Sequence, residues 1–180
     1  MSNRDHDMTL EQVRVAIISD THTHLDSRIA ELIRDCEYAV HAGDIGCNEI
    51  LEQMQPKLGR IAVVGNNDFV GAWPEAQSHI VEKLPSIAEL HLPGGILAIE
   101  HGHRHGHHKP DHQALRASHP GARAVVYGHT HKMVCDTSEV KWVLNPGAAG
   151  QTRNHGGPSC LLLTATNDIW QLQEIRFSEV

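Results

Sequence analysis

The chain of 180 residues has no apolar run approaching the roughly 18–20 residues that a membrane-spanning helix needs. It has no excess of positive charge: 15 Lys and Arg stand against 22 Asp and Glu, a formal net charge of -7. That balance argues against broad binding to nucleic acid or to an anionic membrane, so no stable nucleic-acid partner and no membrane partner is expected. A phosphate or nucleotide held by metal ions stays open, because the charge at one site can oppose the net charge. The four cysteines, Cys36, Cys47, Cys135 and Cys160, form no Cys-x-x-Cys pair. They lie beside apolar or helical patterns and read as free, buried or half-buried thiols. Residues 1–7 are polar and acidic, unlike a signal peptide. Residues 1–12 are therefore expected to be a disordered lead-in, and a reducing cytoplasm the location. No repeat and no linker interrupts residues 13–180, which read as a single domain long enough to bury a sizeable core.

What the chain has in abundance is histidine: 16 residues, six of them between His101 and His112. Such density in a folded protein points to metal chemistry. The cluster is internal, so it is not a terminal purification tag.

Hydrophobic patterning divides the chain in two. Val13 to Ser19 is a nearly continuous apolar strand, as expected in a sheet covered on both faces. Leu25 to Cys36 carries Ile29, Leu32 and Ile33 at helical spacing, with Asp26 or Ser27 as cap. A strand at residues 38–41, a helix at 48–55 stopped by Pro56, and a strand at 60–64 follow. This alternation predicts parallel strands joined by right-handed crossovers. The second half reads as a hairpin (87–92 and 96–100), a helix (111–118), a buried strand (124–127), and antiparallel strands at 133–136, 141–144, 159–166 and 169–176. The mixture predicts a mixed α/β (α+β) fold, two mixed β-sheets flanked by helices.

Five polar motifs each follow an apolar strand: Asp20-Thr21-His22, Gly43-Asp44, Gly65-Asn66-Asn67-Asp68, His101-Gly102-His103 and Gly128-His129-Thr130-His131. Asp20 and His22, two apart in extended backbone, point the same way and can converge on one ion. Gly43 lets the backbone approach a site closely. Asp, His and Asn donors without a thiolate suit Mn, Fe, Ni or Zn, and the ligand set does not choose among them. Each motif alone has a bland reading, such as a capping Asp, an Asn-rich turn or a surface His. Five in order, each at a strand end, do not. His24 extends the row Asp20, His22, His24 and reads as a surface or supporting residue; His41 reads as packing beneath the motif that follows it.

The order and spacing resemble the calcineurin-like metallophosphoesterases, and within them the small single-domain branch of YfcE-type phosphodiesterases and the retromer metallophosphoesterase-like subunit. The resemblance covers about residues 13 to 176. It implies a four-layer αββα sandwich and two divalent metal ions per chain, Mn first, with Ni, Fe or Zn as alternatives. It implies that Asp20, His22, Asp44 and His131 hold one ion, and Asp44, Asn66, His101 and His129 the other. A hydroxide between the ions would attack a small phosphate-ester substrate, a diester in preference to a monoester. Many larger members carry His where Asn67 stands, so this chain lacks that general acid. His103 is the candidate replacement, and Asp68 and Arg153 are the other candidate catalytic residues. Arg153 follows Asn145-Pro146-Gly147, which resembles the family's Asn-Pro-Gly-Ser loop with Ala148 in place of Ser, and its fork would grip a phosphate oxygen. His105, His107, His108 and His112 match no family role and read as solvated loop residues, or as auxiliary contacts to metal or phosphate. A non-catalytic metal-binding scaffold for protein partners is the alternative, and metal storage through the loop His101–His112 a third. Similar proteins form homodimers or homotetramers, to which Trp73, Trp142 and Trp170 would offer exposed contact area.

Overall fold

The computed structural model describes residues 11–179. Its first strand, β1 (Gln12–Ile18), is covered on both faces. Val13, Val15 and Ile17 point into one apolar cluster and Ala16 and Ile18 into another, the period-2 alternation of a strand with two buried sides. The lead-in expected over residues 1–12 falls, for residues 1–10, outside the described residues; Gln12 is already paired in β1, opposite Thr166.

After β1 come α1 (Ser27–Arg34), β2 (Tyr38–His41), α2 (Asn48–Gln53) and β3 (Gly59–Ala62). The Asp26 carboxylate accepts from the Arg28 backbone N–H at 3.0 Å, which settles the cap of α1 in favour of Asp26 over Ser27. A 3₁₀ turn at Glu75–Gln77 runs into the one-turn α3 (Ser78–Val81). The sequence pattern missed both, because a single turn burying only Val81 has no period to read. The hairpin is β4 (Ile87–Leu92) and β5 (Gly95–Glu100). A 3₁₀ turn at His103–His105 leads to α4 (His112–Ser118), β6 (Ala124–Val126), β7 (Met133–Asp136), β8 (Trp142–Pro146), β9 (Ser159–Thr166) and β10 (Trp170–Arg176).

The strands form two five-stranded sheets, ordered β10-β9-β1-β2-β3 and β4-β5-β6-β8-β7. Both are mixed. β1, β2 and β3 are mutually parallel, β9 is antiparallel to β1, and β10 is antiparallel to β9 at the edge. In the second sheet β5, β6 and β8 are parallel, with β4 and β7 antiparallel at the edges. Val15, Ile17, Val40, Leu161 and Leu163 of the first sheet join Leu97, Ile99, Val126 and Leu144 of the second in one core. The outer face of the first sheet packs Ile18, Ala39 and Cys160 with Ile29, Ile33 and Ile50 of α1 and α2. On the other side Leu115 of α4 packs on Ala98, Val125 and Val143. The layers are therefore helix, sheet, sheet, helix, as expected.

The tryptophans correct one expectation. Trp73 and Trp170 are only 3% and 4% exposed, so neither offers contact area. Trp170 buries its ring and donates from Nε1 to the Pro93 carbonyl at 2.8 Å. An indole is most stable with its rings dry and its N–H paired.

Ile17 is fully buried, with Val40 opposite on one neighbouring strand and Leu161 on the other. Ile17→Ala is expected to lower stability by about 2–5 kcal/mol. Urea denaturation should show a lower midpoint with an unchanged slope.

Candidate metal centre

Parallel strands all end on the same side, so the loops after β1, β2 and β3 gather with those after β5 and β6. Those five loops carry the five motifs. Asp20, His22, Asp44, His129 and His131 adopt left-handed backbone, with φ of 55°, 45°, 56°, 67° and 59°. Each such residue costs on the order of 1 kcal/mol or more, and such strain gathers at functional sites. Backbone hydrogen bonds between loops hold it: Asp20 N–H to the Gly43 carbonyl and His22 N–H to the Asp44 carbonyl, both at 3.0 Å. Close approach also demands glycine. A Cβ on Gly43 would come within 2.7 Å of His101 Nδ1, and one on Gly65 would collide with the Asp44 carboxylate.

The side chains converge in two groups, Asp20–His22–His131 and Asp20–Asp44–His101, each with ligand atoms within 4.8 Å of one another. His22 Nε2 and His131 Nε2 are 3.2 Å apart, and His131 Nε2 is 3.4 Å from Asp20 Oδ1. Asp44 Oδ2 stands between the groups, 3.7 Å from His22 Nε2 and 3.4 Å from His101 Nε2. Asn66 Oδ1 lies 3.1 Å from His101 Nε2 and 2.9 Å from His129 Nδ1. All seven expected ligands are thus brought together. A cleft of about 260 Å³ opens beside them, its further lining supplied by Asn67, His107, His108, Thr130, Lys132 and Arg153. A larger open groove of about 1160 Å³, beside Arg123, Val140 and Trp142, lies at the opposite end of the second sheet and contains none of the ligands.

The candidate catalytic residues fare differently. Arg153 reaches the site: its Nη2 is 3.2 Å from His131 Nε2. His103 is partly buried, its ring centre 5.5 Å from that of His101 and 6.1 Å from that of His129, with Nδ1 unpaired. Asp68 is a correction. Its oxygens accept from the backbone N–H groups of Ile45, Gly46 and Gly65 and from Trp73 Nε1, all at 2.9–3.0 Å. Four donors fill the lone-pair sites of a carboxylate. Asp68 braces the loop carrying Asp44 and has no lone pair left for substrate.

His41 sits beneath the site, 2.9 Å from Thr21 Oγ1, and His24 is exposed, both as expected. The extra loop histidines split. His105 pairs with Glu100 at 3.0 Å, and His112 with Asp136 at 2.7 Å and the Tyr127 hydroxyl at 3.2 Å, so neither is a free solvated side chain. His107 packs 5.0 Å from His129, with His108 at 4.7 Å beyond it. Sequence reasoning missed Ser19, whose hydroxyl donates to Asp20 Oδ2 at 2.7 Å, and Asn145, whose amide donates to the Gly128 carbonyl at 2.7 Å. Asn145 was marked only by the resemblance of Asn145-Pro146-Gly147 to the family's loop; nothing marks Ser19. Lys132, directly after the last ligand, was also overlooked.

The model of the calcineurin-like phosphoesterase superfamily domain matches residues 13–168. The chain belongs to that superfamily. It is 29% identical over 164 residues to the probable metallophosphoesterase YsnB of Bacillus subtilis, covering 87% of this chain and 86% of YsnB. It is 27% identical over 146 residues to the phosphodiesterase MJ0936 of Methanocaldococcus jannaschii, covering 75% and 83%. In fold it is similar to the crystallised vacuolar protein sorting 29 of Cryptosporidium parvum, with a TM-score of 0.70 at 19% identity over 93% and 99% of the two chains.

A calcineurin-like phosphoesterase fold implies divalent metal ions, and the donor set fits them. His131 Nδ1 donates to the Thr152 carbonyl and His101 Nδ1 to the Ala42 carbonyl, both at 2.8 Å, which turns each Nε2 toward the carboxylates. Burial, aided by the Arg153 charge and opposed by the Thr152 hydrogen bond, pushes the His131 pKa down to about 4, so this ring is neutral and able to ligate. Burial would raise the Asp44 carboxyl, but the hydrogen bond and charge of His101 and two donors from Asn67 hold it well below the usual range. For Asp20 burial outweighs the relief given by the His101 charge, the Ser19 hydroxyl and the His129 backbone N–H. It is fully buried, its Oδ1 has no hydrogen-bond partner, and burial lifts its pKa from 3.8 to about 7. An unpartnered carboxylate oxygen facing imidazole lone pairs is a set of donors that a divalent cation satisfies.

The linkage has a definite sign. With the Asp20 pKa higher folded than unfolded, metal-free stability falls as pH rises from about 4 to about 7. The ionised carboxylate costs on the order of 4 kcal/mol. Metal-free Asp20→Asn is expected to melt above the metal-free parent at pH 8 and level with it at pH 4. A constant difference across that range would reject the assignment.

Proposed function

We propose that the chain is a phosphodiesterase acting on small phosphodiesters with two divalent metal ions, Mn being the first to try and Ni, Fe or Zn compatible. The observation that carries this is the meeting of seven candidate ligand side chains from five loops beside a polar cleft, with Asp20 Oδ1 and His129 Nε2 buried and unpaired. Asp20, His22, Asp44 and His131 would hold one ion; Asp44, Asn66, His101 and His129 would hold the other. Bound there, the ions supply positive charge to the phosphoryl oxygens and lower the pKa of water.

The chain's own groups do the rest. The neutral Asn66 ligand limits the negative charge, which leaves room for an anionic ester. Asn67 donates to both Asp44 oxygens, at 2.9 and 2.7 Å, and so fixes the carboxylate that both ions would share. Arg153 grips a non-reacting phosphoryl oxygen and orients the ester. With Asn at position 67, protonation of the leaving oxygen falls to His103. The MJ0936 relative, a named phosphodiesterase, supports diesters over monoesters. Free cysteines at all four positions suit a reducing cytoplasm. The competing reading is a scaffold that binds protein partners through the same fold; the filled ligand set favours the enzyme.

Chelation is expected to abolish hydrolysis of bis-p-nitrophenyl phosphate and Mn to restore it, with p-nitrophenyl phosphate cleaved more slowly. Asp44→Asn should cost roughly 10²–10³ in kcat. No turnover with any divalent metal would leave the scaffold as the better reading. A second series tests the acid: His103→Ala should slow diesters of poorly leaving alcohols by roughly 10² while sparing p-nitrophenyl esters. Equal losses on both would reject that role.

A further inference from the structure

Beyond the metal ligands, no apolar side chain lines the cleft: its walls are the amides, hydroxyl, imidazoles and cations of Asn67, Thr130, His107, His108, Lys132 and Arg153. Small-molecule sites are usually lined mainly by apolar and aromatic carbon, so this wall is built for a polar guest. Its charge is also one-sided. Asp44 is the only acid in the lining, and it is committed to the metal centre. Lys132 and Arg153 belong to no ion pair among the described residues. Two unpaired cations in one cleft of a chain with net charge -7 mark a local field opposite to that of the whole.

The positions of these groups separate two duties. Arg153, 3.2 Å from the ligand nitrogen of His131, serves the reacting phosphoryl group. The rings of His129, His107 and His108 step outward from the metal centre in spacings of 5.0 and 4.7 Å, and Lys132 lines the same cleft. The outer cleft therefore offers N–H donors and an ammonium at a distance from the reacting phosphorus.

We infer that the cleft holds a second anionic group of the substrate, so that the preferred diesters are those carrying an additional phosphate held by Lys132 and His108. This rests on the phosphodiesterase reading for its chemistry, but binding alone can test it. A charge-assisted contact of this kind is worth roughly tenfold in affinity and weakens with salt.

The Mn-loaded full chain would be titrated calorimetrically with thymidine 5'-phosphate and with thymidine 3',5'-bisphosphate at low salt. The bisphosphate should bind roughly tenfold tighter, and the ratio should shrink in Lys132→Ala and His108→Ala and at high salt. Hydrolysis supplies a parallel ratio: kcat/KM for the p-nitrophenyl ester of thymidine 5'-phosphate against the same ester carrying a 3'-phosphate. Arg153→Ala should lower both members of each pair alike. Equal affinity for the two nucleotides in the parent chain, or a Lys132→Ala variant that keeps the full ratio, would overturn the subsite. If the nucleotides bind with the expected ratio and neither ester is cleaved, the subsite stands and the phosphodiesterase reading fails.

Discussion

Two carboxylates, Asp20 and Asp44, are held together in a site with almost no access to water, and the surrounding structure is arranged around that charge. Asp44 is relieved by His101 and by both donors of Asn67. Asp20 accepts from the Ser19 hydroxyl and the His129 backbone, yet its Oδ1 has no hydrogen-bond partner. Burial of an unpaired charge is among the costliest arrangements a protein can adopt. It persists where a cation is part of the design, and the His22 and His131 imidazoles, pushed toward neutrality by burial, are in the protonation state that a cation needs.

The rigidity this requires comes from elements that do no chemistry. Two sheets packed face to face bring the ends of β1, β2 and β3 opposite those of β5 and β6. Asp68 then locks the loop after β2 to the loop after β3 through three backbone donors and the Trp73 indole. Asn145 does the same for the loop after β6, through the Gly128 carbonyl and Thr130 Oγ1. Such buried hydrogen bonds offset the left-handed strain at the ligands, which no isolated loop of this sequence would hold.

The 16 histidines do not form a single functional class. His22, His101, His129 and His131 gather at the candidate metal centre, and His41, His105, His112 and His119 are tied to hydroxyls or carboxylates in the framework. His107 and His108 line the cleft. A histidine count therefore overstates how many rings gather at the candidate metal centre. The same cleft carries a local charge opposite to that of the chain: Lys132 and Arg153 line it, with Asp44 as its one acid.

Much of this protein was legible from one-dimensional pattern. Val13 to Ile18 reads as a doubly covered strand because its two faces are both apolar, and the other strands fall on apolar or alternating runs bounded by turns. The candidate ligands Asp20, His22, Asp44, Asn66, His101, His129 and His131 were legible through the resemblance of five ordered motifs, each in the loop that follows a strand, to the calcineurin-like family. Partnership was not legible. Sequence shows that Asp68 is an acid in a motif, but only packing reveals that Ile45, Gly46, Gly65 and Trp73 consume its lone pairs. Sequence shows Trp73 and Trp170 as large aromatics, and only the sandwich decides that both are buried. Local order thus determined the elements, which depend on periodicity, and the ordered motifs pointed to the candidate ligands. Hydrogen-bond satisfaction and burial depend on which distant segments meet, and the tertiary structure alone decided them.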